Sequence, residues 1–203
     1  MSTREDLRRF YALGISHDAL GLGPWGGWEG YFCTPEGAEI FGGPGVDGIH
    51  YVLLPGDERV FCVDPGAEEG TFVLPVGEDL REFLSSVLFC RDESPLSQIW
   101  RLDEAGFRSL LEENAKNTWP GCEVFFAERD AALEAVAEAF GLEPRDPYAR
   151  VKTLQGAFDP AGLTFSGEYY DILGLENPRE VAAEPETCRQ FAEFHMEIGG
   201  GTP

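Results

Sequence analysis

The sequence predicts an α+β protein, with a central and mainly antiparallel sheet packed by helices and a helix-rich C-terminal extension. Three observations predict it. Three short apolar runs, Ile49–Leu54, Val60–Val63 and Thr71–Leu74, are separated by the turn formers Pro55-Gly56-Asp57 and Asp64-Pro65-Gly66. Connections this short suit antiparallel neighbours, because parallel strands need long crossovers. An apolar stripe at helical spacing follows at once, formed by Leu80, Phe83, Leu84, Val87 and Leu88. Beyond about Ser94 the signals are mostly those of helices.

Taken in order, the chain begins with Ser2-x-x-Glu5, a capping box, followed by Leu7, Phe10 and Tyr11 on one helical face and by Gly14 as a stop. A glycine-rich stretch from Gly21 to Gly30 carries Trp25 and Trp28 and leads to Tyr31. Gly30–Cys33 and Ala38–Phe41 read as strands, and Gly42-Gly43-Pro44-Gly45 as a loop. The three apolar runs come next, the last of them ended by Pro75. Being apolar on both faces, they predict a sheet covered on at least part of each side. Asp79 caps the helix that follows, with Glu82 at its third position. Ser94-Pro95 opens a short helix. Asp103 caps the next, Leu102 and Phe107 stand at staple spacing, and Leu110 and Leu111 continue the face. Cys122–Phe126 reads as one more strand, and Glu128–Phe140 as a helix buried through Leu133, Val136, Ala137 and Phe140 and stopped by Gly141. After Pro144 the pattern is less regular: Val151–Leu154, Phe158–Gly162 and the Tyr169-Tyr170 pair. A last helix is expected over about Thr187–Met196, before a disordered tail from Gly199. The organisation expected is a single domain over residues 1–203, with a core at about 25–90 and the extension at about 94–198.

A chain of 203 residues buries a core without a disulfide or metal to hold it. Cys33, Cys62, Cys90, Cys122 and Cys188 are odd in number, widely spaced and free of any Cys-x-x-Cys, so buried free thiols in a reducing compartment are expected. No run of apolar residues is long enough to span a membrane, and Met1-Ser2-Thr3-Arg4-Glu5-Asp6 opens no secretory apolar region, so the expected location is the cytoplasm. The extreme quantity is charge: 15 basic against 37 acidic residues give −22. Such a surface repels phosphate backbones and anionic membranes, so neither nucleic acid nor membrane is an expected partner. Two readings of the charge stay open: it keeps the protein soluble, or it draws in a partner with a basic surface.

No reactive constellation stands out. Gly21-Leu22-Gly23-Pro24-Trp25-Gly26 matches G-x-G-x-x-G, yet no buried strand precedes it and Pro24 and Trp25 crowd it, so it reads as a glycine-rich turn rather than a dinucleotide site. His17, His50 and His195 lack metal-ligand spacing, and His50 reads as a packed or edge histidine. Glu68-Glu69 and Glu112-Glu113 read as solvated faces. No Walker loop, nucleophile elbow, zinc helix or calcium loop is present. The expectation is therefore no catalytic residue, no cofactor and no metal. Trp25, Trp28 and Tyr31 fit either of two roles, large core residues or the anchors of a binding patch.

The order Ile49-His50-Tyr51-Val52-Leu53-Leu54, Val60-Phe61-Cys62-Val63-Asp64-Pro65, Thr71-Phe72-Val73-Leu74-Pro75-Val76 and Asp79–Leu88 resembles the SUKH superfamily. That superfamily includes yeast cell-wall-assembly regulators and many bacterial toxin-immunity proteins. The resemblance covers about a fifth of the chain clearly and Trp25–Cys90 more loosely, and the region after Leu96 lies outside it. It implies a sheet packed by helices and a function in binding, including neutralisation of toxins such as nucleases or deaminases. It carries no catalytic residues, because the matched positions are core and turn positions. The leading expectation is thus a macromolecule-binding module of immunity or adaptor type and not an enzyme. The expected partner-binding residues are Trp25, Trp28, Tyr31, Asp64, Glu68 and Glu69, chosen for residue type and loop position. The alternatives are a hydrolase using scattered carboxylates and a structural subunit of a larger assembly.

Overall fold

In the computed structural model, which describes residues 2–24 and 30–183, five strands form one antiparallel sheet in sequence order. They are β1 (Gly23–Pro24), β2 (Glu39–Gly43), β3 (His50–Leu53), β4 (Val60–Val63) and β5 (Val73–Gly77). The α+β class read from the sequence is the class observed. The chain forms two compact units, Met1–Thr164 and Phe165–Pro203. The first holds the sheet with α1 (Thr3–Tyr11), α2 (Leu80–Cys90), α3 (Ser94–Gln98), α4 (Glu104–Lys116), α5 (Cys122–Phe140) and α6 (Tyr148–Ala157).

The central strands β3 and β4 are buried on both faces. Their register pairs Tyr51 with Cys62 and Leu53 with Val60 on one side, and His50 with Val63 and Val52 with Phe61 on the other. On the first side Phe41, Tyr51, Leu53, Val60, Cys62 and Val76 meet α1, α2 and the later helices in one cluster, which takes in Phe83, Leu96, Phe107, Val136 and Phe140. Fully burying a side chain of this size contributes roughly 1.5–3 kcal/mol. The helices after Ser94 thus complete the core begun by the strands. The described chain over the second side is irregular. Phe158 lies 5.3 Å from Phe61, Phe32 lies 5.5 Å from Phe72, and a Glu36 N–H bond to the Thr164 carbonyl, 2.8 Å, ties the two covering segments together.

Helix starts follow the sequence closely. Ser2 and Glu5 form the reciprocal capping box of α1, Asp79 accepts the Glu82 N–H at 2.8 Å, and Asp103 accepts that of Gly106 at 2.7 Å. Each such cap is worth about 1 kcal/mol. Gly141, in the left-handed region, ends α5. Beyond its cap α1 is held from below: the Thr3 hydroxyl donates to the Glu58 carbonyl at 2.7 Å, and Arg4 donates to the Leu54 carbonyl at 3.0 Å. Arg9 and Arg81 donate to the Ala139 and Phe140 carbonyls at the end of α5 and lie over the Phe140 ring, at 4.9 and 5.7 Å. Those carbonyls are the helix's unpaired acceptors at its negative end, where cations belong.

Four local expectations are corrected. Cys122–Phe126 is the first part of α5, not a strand. Cys122, Phe125 and Phe126 continue the helical stripe of Ala132, Leu133, Val136 and Phe140, Val124 faces out, and Ala and Glu downstream propagate the helix. Gly30–Cys33 forms a turn rather than a strand, closed by a 2.8 Å bond from the Thr34 N–H to the Tyr31 carbonyl. Gly42 and Gly43 belong to β2, where they pair with Pro24 and Gly23. Pro75 lies inside β5 instead of ending it, which an edge strand permits. Pro24 in β1 marks the other edge. In addition, the irregular reading of Val151–Leu154 gives way to the helix α6. The expected helix at Thr187–Met196, the tail from Gly199, Cys188 and His195 lie outside the described residues.

The second unit contains α7 (Gly167–Leu173) and α8 (Pro178–Ala183). Phe165 stacks on Tyr169 at 4.1 Å, Tyr169 meets Tyr170 edge-on at 5.3 Å, and Gly174 closes α7 in the left-handed region.

Two acids are buried in the first unit, Asp6, which faces Arg81, and Glu93. Glu93, 2 % exposed, accepts the Tyr51 hydroxyl at 3.0 Å, and its N–H donates to the Leu20 carbonyl. Burial pushes its carboxyl up to about 8. A raised folded value means the group's contribution is full below its unfolded value of 4.5 and is lost as pH rises through about 8. Glu93→Gln, which keeps an acceptor for Tyr51 and does not titrate, is expected to flatten the fall in urea midpoint across that window and to gain on the parent as pH rises. Parallel stability curves for the two proteins would show that Glu93 is not a buried acid of this kind.

Candidate functional site

Antiparallel order places two loops at one end of the sheet, residues 44–49 between β2 and β3 and residues 64–72 between β4 and β5. The turn from β3 to β4 lies at the other end. Asp47 and Gly48 both take positive φ, 55° and 71°, the conformation that Asp-Gly favours in hairpins. A Cβ on Gly48 would meet Tyr31 Cζ at 2.7 Å and Pro65 Cγ at 3.0 Å. Only a residue without a side chain lets the backbone pass between that ring and that proline.

Tyr31 stacks on His50, with ring centroids 6.0 Å apart. His50 is fully buried, and burial lowers its basicity. Its Nδ1 lies 2.8 Å from the Gly48 carbonyl, which can only accept, so Nδ1 carries the proton and Nε2 accepts the Thr34 hydroxyl at 3.0 Å. The histidine is therefore a clamp joining β3, the 44–49 loop and the turn after Tyr31. Both ring nitrogens are engaged, which leaves neither free to act as a base toward a nearby nucleophile. Burial likewise pushes the Cys33 thiol up to about 12 and raises those of Cys62 and Cys90, so these thiols stay protonated at neutral pH.

The second loop folds on itself. Asp64 accepts the Gly66 N–H at 2.9 Å, its own N–H donates to the Phe72 carbonyl at 2.8 Å, and the Thr71 hydroxyl donates to the Glu68 carbonyl at 2.7 Å. These bonds use the Glu68 backbone and leave the Glu68 and Glu69 side chains in solvent. Beside the first loop a cavity of about 380 Å³ is lined by Asp18, Tyr31, Val46 and Asp47, among others. Val46 and Tyr31 are exposed, at 60 % and 39 %.

The electrostatics of this end follow from the sequence. Arg59 is the single Lys or Arg between Phe10 and Leu80. It sits in the β3–β4 turn, at the far end of the strands, where Asp57 binds it at 2.6 and 3.1 Å. Asp47, Asp64, Glu68 and Glu69 therefore share their end of the sheet with no cation from these strands and loops.

Of the expected binding residues, the structure brings Tyr31, Asp64, Glu68 and Glu69 to this one end. Trp25 and Trp28 lie outside the described residues, in the segment between Pro24 and Gly30. The sequence reading missed Thr34 as the partner of His50, and Val46 and Asp47 as part of the rim; the Asp47-Gly48 pair was the available signal. In the glycine motif, Gly21 packs against the Glu93 carboxyl and Gly23 against that of Asp18, so carboxylates stand where a phosphate would have to approach. Among the described residues no group of three or more His, Cys, Asp or Glu is placed to hold a metal ion, and no helix is long and apolar enough to cross a membrane. Comparisons with protein-family models, curated proteins and solved structures found no match for this chain.

Gly48→Ala is expected to cost about 2–3 kcal/mol and to displace Tyr31, whereas Gly45→Ala, also at positive φ but facing open space, costs about 1 kcal/mol. Thermal melting of the two variants checks the difference. Equal losses would mean that the Tyr31–Gly48–Pro65 packing does not hold the loop.

Proposed function

We propose that this protein is an intracellular binding module of immunity or adaptor type, which captures a protein with a basic surface through the loop end of its sheet. One observation carries the reading: Tyr31, Asp47, Asp64, Glu68 and Glu69 gather at one end on turns fixed by their own hydrogen bonds, in a stretch whose lone cation lies at the other end. An exposed aromatic among carboxylates offers an anchor with a polar, charged surround, which is how protein interfaces are built. A fixed negative field also speeds encounter with a positive surface and disfavours acidic competitors. The resemblance of residues 49–88 to the SUKH superfamily supports the same reading, because immunity proteins of that superfamily act by binding. A toxin that acts on nucleic acid needs a basic substrate surface, and the loop end is complementary to such a surface. In this reading the protein competes with nucleic acid for the partner and does not bind nucleic acid itself, and it works in the cytoplasm, where its thiols stay reduced.

Reversing Glu68 and Glu69 together to Lys is expected to slow association with the product of the adjoining gene, if that product is basic, by about tenfold at low salt, with the gap closing as salt screens the charges. Stopped-flow mixing measures the rate. An unchanged rate at low salt would remove the 64–72 loop from the interface.

A further inference from the structure

The corner between α4 and α5 presents a second surface, of different chemistry, on helices outside the sheet. Trp119 is 45 % exposed and Val124, in the first turn of α5, is 68 % exposed. Trp119 lies 5.7 Å from Phe125 and 5.4 Å from Phe126, so the three rings form one cluster that reaches solvent. Beside it run two adjoining cavities of about 230 and 210 Å³, which share Asp92, Asn114 and Arg129. Arg129 stacks on Phe126 at 4.7 Å and approaches Asp92 only to 3.7 Å, beyond hydrogen-bond reach. The other outward positions of α5 are acids and alanines, among them Glu123, Ala127, Glu128, Ala131 and Glu134. Among the described residues Glu123 and Glu128 make no ion pair. The fold packs one part of Trp119 and leaves nearly half of it, with most of Val124, in solvent. An apolar patch with a charged border marks a contact surface.

We propose that the α4–α5 corner docks a basic amphipathic segment of a protein partner. An apolar side chain covers Trp119 and Val124, and flanking Lys or Arg side chains meet Glu123 and Glu128, while Asp92 stays with Arg129 and the Ser94 N–H. Charge complementarity selects this occupant. A second copy of the chain would bring the same carboxylates against these, in a molecule already at −22. A basic segment instead meets negative charge on the border and an aromatic anchor at the centre. Glu128 stands one helical turn from Val124, so a single apolar residue and a cation one turn away on a partner helix reach both at once. The surface is independent of the loop end, since it uses no residue of the sheet or its connections.

The test uses the full chain with a helical peptide of alternating Leu and Lys faces as the probe, and a Leu/Glu peptide of equal length as the control. The Leu/Lys peptide is expected to bind at low salt and to move the backbone amide resonances of residues 119–129 in a heteronuclear NMR titration, while the Leu/Glu peptide does not bind. The Trp119→Ala/Val124→Ser variant gives up the Trp119 ring contacts as well as the exposed patch, so it is compared below its own melting temperature, where its affinity for the Leu/Lys peptide falls by about tenfold. Glu123→Lys/Glu128→Lys lowers it by a similar factor. Failure of the peptide to bind, shifts confined to residues 44–49 and 64–72, or unchanged affinity in both variants would each overturn the proposal. A parent dimer that becomes a monomer in the Trp119→Ala/Val124→Ser variant by light scattering would overturn it too, by assigning the corner to self-association.

Discussion

His50, Tyr51, Val52 and Leu53 have no face to spare. Each residue of β3, and each of β4 beside it, is buried, and much of the molecule can be read as the means of covering two sides of this pair. One side calls for helices, and α1 and α2 supply Phe10, Leu80, Phe83 and Leu84 to meet Tyr51, Leu53, Val60 and Cys62. On the other side, among the described residues, Phe32 lies on Phe72 and Phe158, at the end of α6, lies on Phe61. A sheet sealed in this way has little left to offer a partner across its faces. What remains is its loop ends and the outer surfaces of its helices, which is where the exposed aromatics are found.

The distribution of charge has a structural cause as well. Many of the cations are committed to holding the fold: Arg4 to Glu39 and the Leu54 carbonyl, Arg59 to Asp57, Arg9 and Arg81 to the end of α5, Arg108 to Glu104 and Asp146, and Lys152 to the Trp100 carbonyl. Exposed ion pairs contribute little stability one by one, about 0–1 kcal/mol each. Their effect on the surface is larger, because each removes a positive charge from contact with a visitor. The negative charge that is left is uneven, and the 44–49 and 64–72 loops carry acids with no Lys or Arg of their own.

The fold was legible wherever a local pattern and its tertiary use agreed. The strands at 50–53 and 60–63, the Asp79-capped helix and the stop at Gly141 could be read from turn residues and spacing alone. It was misread where one pattern serves two structures. Val124-Phe125-Phe126 looks like a buried strand because three apolar residues stand in a row. On a helix such a row cannot all face inward, so the same residues yield half-buried rings and an exposed valine. Gly42-Gly43 looks like a loop because glycine is a turn former, yet here glycine lets β1 and β2 approach closely. Of the candidate site, the acidic and aromatic residue types could be chosen from the sequence. Their gathering could not, because it depends on strand order, on the passage of Gly48 between Tyr31 and Pro65, and on the bond between Thr34 and His50. Glu93 was invisible for a related reason: nothing in its neighbourhood marks an acid that will be sealed beneath a tyrosine.

The outermost strands have a consequence of their own. Each carries a proline, Pro24 in β1 and Pro75 in β5, and β1 is only two residues long. A proline offers no amide hydrogen to a newcomer, so neither border supplies an unbroken ladder for an added strand. Among the described residues, each border thus disfavours extension of the sheet by a peptide or by another molecule of the same kind. That gap in the hydrogen-bonding border disfavours the edge-to-edge stacking that leads to fibrils.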